Sequence, residues 1–273
     1  MKFKTIEIKL KELTKQIGTR KNDLRLNYCI ENNAGDSFNE KFINDYFNKT
    51  VSKYTLGNQE HYLFCGSILS RANENSIVIG AGLISESVKF NGCKALIGCR
   101  GRLTLQRINV IKESLKPSFL GDPGLMVNEM LEKGVLKSQL NPDKIGIIPH
   151  FVDYDQVVKL LDGDDKYLII NIKRDYKDVC NDILKCHTIL SSSLHGLIFA
   201  DGLSVKNSWV KFSDKIVGGD FKFRDYYSVM DKGKLPPVEC VSLEDLGKAA
   251  SGAFVSVNPN YHQMLKTISE YFG

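Results

Sequence analysis

Thr188-Ile189-Leu190-Ser191-Ser192-Ser193-Leu194-His195-Gly196-Leu197-Ile198-Phe199-Ala200 is the stretch that decides the fold. A short apolar run reads as a buried strand. Three serines break it, and a second apolar run of helical length follows. A histidine therefore sits where a strand hands over to a helix. In α/β proteins ligands bind outside the carboxyl ends of the strands, and helix N-termini favour anions. These residue types suit an acid/base catalyst beside a phosphate or carboxylate.

The same alternation continues on both sides. Toward the N-terminus the pattern predicts strands over 24–30, 62–65, 76–79, 94–99 and 119–120. Helices are predicted over 37–47 and from 102 to about 113. Near Asn141-Pro142-Asp143 the series restarts, with strands over 144–148, 167–171, 188–190 and 208–212. Helices follow over 154–161, 175–185, 194–203, 242–253 and 260–272. Strands alternating with helices imply parallel sheets covered on both faces. The expected fold class is α/β, with two Rossmann-like domains facing a cleft. The first domain is placed at 1–140 and the second at 141–273, the last helix being free to pack back on the first.

Composition is that of an ordinary globular chain: 273 residues, 42% hydrophobic and 25% charged. No apolar stretch approaches the roughly 20 residues that span a bilayer. The N-terminus carries no apolar core or small-residue cleavage site, which speaks against a secretory signal. Seven cysteines form no CxxC pair and read as reduced thiols. The expected location is cytoplasmic. Residues 1–25 hold eight Lys/Arg against three Asp/Glu. Apolar positions 6, 10, 13 and 17 there suit one helix face. Such a helix either touches an anionic membrane surface at the inner face, through residues 1–20, or packs on the domain with its lysines in solvent. Nucleic acid is not indicated, for lack of a basic stripe with interleaved aromatics.

The predicted strand ends collect residues that could carry chemistry. Asn33-Ala34-Gly35-Asp36 lies between strand and helix, with Asp36 or Ser37 as the expected N-cap. Gly66-Ser67 and Gly82 close two further strands. Arg100 follows another, as an anion ligand of the kind guanidinium groups provide. His150 follows Pro149 at a strand end, a second acid/base or hydrogen-bonding candidate. His195 is the first, since a histidine near its ordinary pKa both donates and accepts protons near neutrality. Ser192, Ser193 and Gly196 surround it. Lys222 and Arg224 lie in a segment rich in charge and aromatics, which reads either as a loop that closes over an anionic ligand or sugar or as a solvated helix start. No HExxH or comparable spacing occurs, so no metal is expected.

In this order the pieces resemble the polysaccharide pyruvyl transferase family. They run from Asn33-Ala34-Gly35-Asp36 through Gly80-Ala81-Gly82, Arg100-Gly101, Gly121-Asp122-Pro123 and Pro149-His150 to Ser192-Ser193-Leu194-His195-Gly196. The Phe223-Arg224-Asp225-Tyr226 segment belongs to the same set. The resemblance implies a fold like that of GT-B glycosyltransferases. It implies transfer of the enolpyruvyl carbons of phosphoenolpyruvate to two hydroxyls of one sugar, with phosphate released and no further cofactor. The acceptor implied is a precursor of bacterial capsular, exopolysaccharide or cell-wall glycan, expected as a lipid-linked oligosaccharide repeat. By carry-over His195 is the general acid, protonating either the methylene carbon or the leaving phosphate. Arg100 is the anion anchor, helped by backbone N–H groups near Gly66-Ser67 and Gly196, and His150 supports the acceptor. One departure stands out. Many members carry arginine two residues before the motif histidine, where this chain has Ser193. Lys222 or Arg224 would then supply the charge.

Two other readings remain at this point. One is a glycosyltransferase of the same fold using a nucleotide sugar, since fold alone does not settle function. The other is a non-catalytic subunit of glycan assembly.

Overall fold

In the computed structural model, residues 23–30, 33–111, 115–137, 142–233 and 236–273 are described. The basic segment 1–20 and the expected domain boundary at 140/141 lie outside them. The chain divides into two units, one running up to Pro123 and completed by Asn260–Gly273, the other spanning Gly124–Pro259.

The first unit holds six parallel strands: β1 (Leu24–Leu26), β2 (Val51–Lys53), β3 (His61–Leu63), β4 (Ser76–Ile79), β5 (Ala95–Cys99) and β6 (Phe119–Leu120), in the order β2-β1-β3-β4-β5-β6. Its helices include α1 (Ala34–Phe47) and α2 (Arg102–Ile111). Strand β4, Ser76-Ile77-Val78-Ile79, is buried throughout, as a parallel strand covered on both faces must be. β2 was not anticipated, because Val51-Ser52-Lys53 carries a single apolar residue.

The second unit holds five parallel strands: β7 (Lys144–Ile148), β8 (Tyr167–Ile169), β9 (Cys186–Ser191), β10 (Lys206–Lys211) and β11 (Val238–Glu239), in the order β11-β10-β9-β7-β8. Its helices are α3 (Val127–Glu132), α4 (Tyr154–Leu161), α5 (Tyr176–Ile183), α6 (Leu194–Gly202), α7 (Phe221–Tyr227) and α8 (Leu243–Ser251). Ile145, Ile147, Leu190 and Val210 from the central strands pack with Val157, Leu161 and Leu246 from the helices. Helix α6 is apolar on nearly all sides, and every residue from Gly196 to Asp201 is buried, which suits a helix enclosed within a unit.

The last helix, α9 (Tyr261–Phe272), belongs to the first unit although it follows the second in sequence. Phe272 is buried against Phe64, Tyr62 and Phe47, with ring centroids 5.5, 5.3 and 5.7 Å away. Phe38, Phe42 and Phe64 stack beside it. Burying a ring of this size contributes roughly 1.5–3 kcal/mol, which accounts for the return of the chain to the first sheet.

The two units share a design. In each, the first strand is followed by its neighbour on one side, and the third strand then pairs with the first on the other side. The order therefore reverses between β1 and β3, and again between β7 and β9. In doubly wound sheets such a switch point opens a crevice at the strand carboxyl ends, where ligands bind.

Candidate active site

In the second unit the switch point gathers the residues of the opening motif. Ile148 pairs with Ser191 across β7 and β9, so Pro149-His150 and Ser192-Ser193-Leu194-His195 leave neighbouring strand ends together. The Ser191 hydroxyl lies 2.9 Å from the carbonyls of both Ile148 and Ser193, and accepts the Ser193 N–H at 3.0 Å. The His150 N–H donates to Ser192 Oγ at 2.8 Å. These serines satisfy backbone groups that the ladder no longer reaches. Both hydroxyls thus have partners within the chain. Gly196 has a packing reason: a Cβ there would lie 2.4 Å from Ser191 Oγ. Ser193 is the N-cap of α6, but its side chain makes no capping bond.

His195 stands in the first turn of α6, partly exposed, with its ring 5.8 Å from that of Phe199. The helix beneath it is anchored at its far end. Buried Asp201 accepts from Asn207 Nδ2 at 2.8 Å, the Tyr226 hydroxyl at 3.0 Å and the Ser256 N–H at 2.9 Å. Neither Ser191 nor Asp201 was anticipated. A repeat of serines does not reveal which one faces inward, and Asp201 meets partners from three separate segments.

His150 is partly buried, its ring 4.3 Å from that of Phe151. Burial, then the charges of Lys222 and Lys173, hold its pKa down to about 4. It is therefore neutral at physiological pH, suited to hydrogen bonding more than to acting as an acid. Lys222 was expected on a closing loop or a solvated helix start. It stands instead on α7, a helix whose Phe221, Phe223, Tyr226 and Tyr227 are buried, Phe223 stacking on Trp209 at 4.4 Å. Lys222 faces inward while Arg224 on the same helix is exposed. The loop reading fails because the aromatic side chains find a core. The expected equivalence of Lys222 and Arg224 fails with it.

In the first unit, Asn33 and not Asp36 or Ser37 caps α1, accepting the N–H groups of Gly35 at 2.9 Å and Asp36 at 3.2 Å. Asn39, buried and unanticipated, clamps the end of β3: its Oδ1 accepts the Cys65 N–H at 2.9 Å and its Nδ2 donates to the Cys65 carbonyl at 3.1 Å. Gly82 donates its N–H to the Gly66 carbonyl at 2.9 Å.

Arg100 is 0% exposed. Its guanidinium donates to Ser67 Oγ at 2.7 Å and to the Leu83 carbonyl at 2.5 Å. Gly82 makes room for it, since a Cβ there would meet the guanidinium carbon at 2.5 Å. The expected open anion ligand is thus an enclosed cation that organises the loops after β3 and β4. Of the expected set, Gly66, Ser67, Gly82 and Arg100 form one cluster here. His150, Ser192, Ser193, His195, Gly196 and Lys222 belong to the second unit.

Strand-end histidines at the switch point of a parallel sheet make this the candidate site of an α/β protein. The chain belongs to the polysaccharide pyruvyl transferase family, whose model matches residues 20–210. It is 34% identical over 223 residues to an uncharacterized protein of Acanthamoeba polyphaga mimivirus, the match covering 77% of this chain and 76% of that one. No solved structure matches it. The family is one of transferases acting in polysaccharide pyruvylation, with a polysaccharide as acceptor. Among the described residues no helix is long and apolar enough to cross a membrane.

Proposed function

We propose that this chain transfers the enolpyruvyl group of phosphoenolpyruvate onto two hydroxyls of a sugar, forming a cyclic ketal and releasing phosphate, with no cofactor. The observation that carries this reading is the pair of histidines leaving adjacent strand ends at the switch point. Carbon 3 of the donor gains a proton, which makes carbon 2 electrophilic, and one sugar hydroxyl adds there. Phosphate then leaves and a second hydroxyl closes the ketal. His195 is the general acid, toward the methylene carbon or the departing phosphate. His150, neutral because burial and two lysines depress it, supports the acceptor by hydrogen-bonding an attacking hydroxyl, whose proton is released as the ketal bond forms. Arg100 acts through Ser67, whose hydroxyl it holds. Gly35, Asp36, Gly66 and Gly82 are the further substrate-binding candidates of the first unit.

A fold like that of GT-B glycosyltransferases, with one Rossmann-like sheet in each unit, is part of the same proposal. Their shared strand order supports it. So are a cytoplasmic reaction and a lipid-linked oligosaccharide acceptor, which a basic segment at 1–20 would bring to the inner membrane face.

The test is phosphate release from phosphoenolpyruvate in the presence of a panel of glycan acceptors, with the product analysed for a ketal. Wild type should release phosphate and form ketal in equal amounts, and His195→Ala neither. Turnover of a uridine diphosphate sugar with phosphoenolpyruvate untouched would replace this reading with glycosyl transfer.

A further inference from the structure

The second unit carries a pocket that the proposed reaction does not use. It lies at the carboxyl end of β10, open to solvent, and measures about 330 Å³, near the lower bound of roughly 300–1,000 Å³ for small-ligand sites. Trp209 pairs with Ser191, and Ser191 with Ile148. This strand end therefore stands in one row with those that lead to His195 and His150. Neighbouring strands are about 4.8 Å apart, so the pocket is a single strand away from the β9 motif. Trp209 and Phe223, stacked at 4.4 Å, form its apolar wall with Ile216. Lys211, Ser213, Asp214 and Asp220 supply its polar groups. The Lys211 ammonium is paired, 2.6 Å from Asp214 and 3.6 Å from Glu239. Asp220 is exposed and, although it precedes α7, makes no capping bond. A third carboxylate holds Ser213 in place. Asp153 is 0% exposed, its Oδ1 accepts from the Ser213 hydroxyl, and its Oδ2 has no hydrogen-bond partner. The Asp153 N–H donates to the His150 carbonyl at 2.8 Å, so one residue joins the loop after β10 to the turn after β7.

We propose that this pocket is a subsite for a neutral sugar. Sugar hydroxyls donate hydrogen bonds, and carboxylates only accept them, strongly because they are charged. The C–H face of a sugar ring is apolar and suits an aromatic wall with a few fixed polar groups. An anion is disfavoured here, since the one lysine is matched by two carboxylates while Asp220 and Asp153 add negative charge. Asp220 is the acceptor at the rim. Asp153 acts through Ser213 as a positioning residue. That the sugar is the acceptor of the transfer rests on the function proposed above, whereas the subsite stands without it.

Trp209 is the one tryptophan of the chain, so its fluorescence reports on this pocket. The test is titration of the full chain with the methyl glycosides of glucose, galactose, mannose and N-acetylglucosamine, and separately with inorganic phosphate. At least one glycoside should change the emission saturably, and phosphate should not. Asp220→Asn should weaken that glycoside by about three- to tenfold, the difference between a charged and a neutral hydrogen bond. Ser213→Ala should weaken it as well. Asp220 is exposed, so its variant keeps the test alive if Ser213→Ala fails to fold. No response to any of the four glycosides in wild type, a response to phosphate alone, or an affinity unchanged in Asp220→Asn overturns the subsite. Asp220-dependent sugar binding without consumption of phosphoenolpyruvate would sink the proposed function and keep the subsite. Ketal formation with sugar affinity blind to Asp220 would do the reverse.

Discussion

The two units fold to the same strand order and use their strand ends differently. In the first, the polar groups turn inward: Arg100, Asn39 and Asp122 are buried, and Arg100 joins Ser67 to Leu83. In the second, serines tie up the backbone, and the titratable groups, His150 and His195, keep part of their surface. A charge enclosed in protein serves the architecture, because its desolvation must be offset by fixed partners. A group that is to exchange protons needs access. On the function proposed above, the contrast gives scaffolding to the first cluster and proton transfer to the second.

The largest effect should come from His195→Ala. Loss of a positioned acid lowers turnover by about 10²- to 10⁴-fold. The ring is partly exposed, so the unfolding midpoint in urea should stay near wild type. A fall in stability comparable to the loss of activity would erase the contrast. Arg100→Met should do the opposite. It leaves Ser67 Oγ and the Leu83 carbonyl short of a donor in a buried place, at a cost of about 1–3 kcal/mol for each, read by urea unfolding. If Arg100→Met instead leaves stability intact and abolishes phosphoenolpyruvate binding, the arginine is a ligand after all and the division of labour is wrong.

Ser191→Ala should fall between the two. The hydroxyl bridges the ends of β7 and β9 within the turn that precedes His195, and its loss costs about 1–3 kcal/mol. Turnover should drop with the affinity for phosphoenolpyruvate held, as expected of a positioning residue. Ser193→Ala, which removes no capping bond, serves as the control and should change stability by less than about 0.5 kcal/mol.

Much of this was legible in the sequence, for identifiable reasons. Apolar runs that end at glycine or proline announce parallel strands, and β4, β6 and β7 stand where the pattern placed them. A strand-end histidine is visible because the apolar run stops and a helix starts. What escaped lacks a local signature. β11 is only two residues, both exposed. Asn39, Ser191 and Asp201 act on segments up to 26, 43 and 55 residues away, and nothing in their neighbourhood records it. α7 was misread as a loop or a solvated helix start because lysine, arginine and aspartate alternate with its aromatics, whereas stacking against Trp209 decides its burial. Charge pattern predicts exposure only where no core partner is waiting.

The smallest effect is a pH dependence, and it tests whether the contrast extends to stability. His61, in the first unit, is buried with Nε2 2.8 Å from Ser76 Oγ and Nδ1 3.0 Å from the Gln59 carbonyl, and burial lowers its pKa. His150 in the second unit is also lowered, to about 4. Both bind fewer protons folded than unfolded between the ordinary histidine value of about 6.5 and the folded value. Their contribution is thus fully present above about 6.5 and is lost as pH falls through the folded pKa. Asp182 and Asp245, lowered by hydrogen bonds from lysine, arginine, serine and backbone donors, act only below the ordinary carboxylate value. Urea unfolding between pH 7 and about 4 therefore isolates the histidines. His150→Gln should flatten the slope by a part that remains when salt is raised for burial, and shrinks for the lysine charges. His61→Gln should flatten it without regard to salt, because burial leads there. Should the His150 slope survive the substitution unchanged, the imidazole is not the neutral hydrogen-bonding group that the catalytic reading requires.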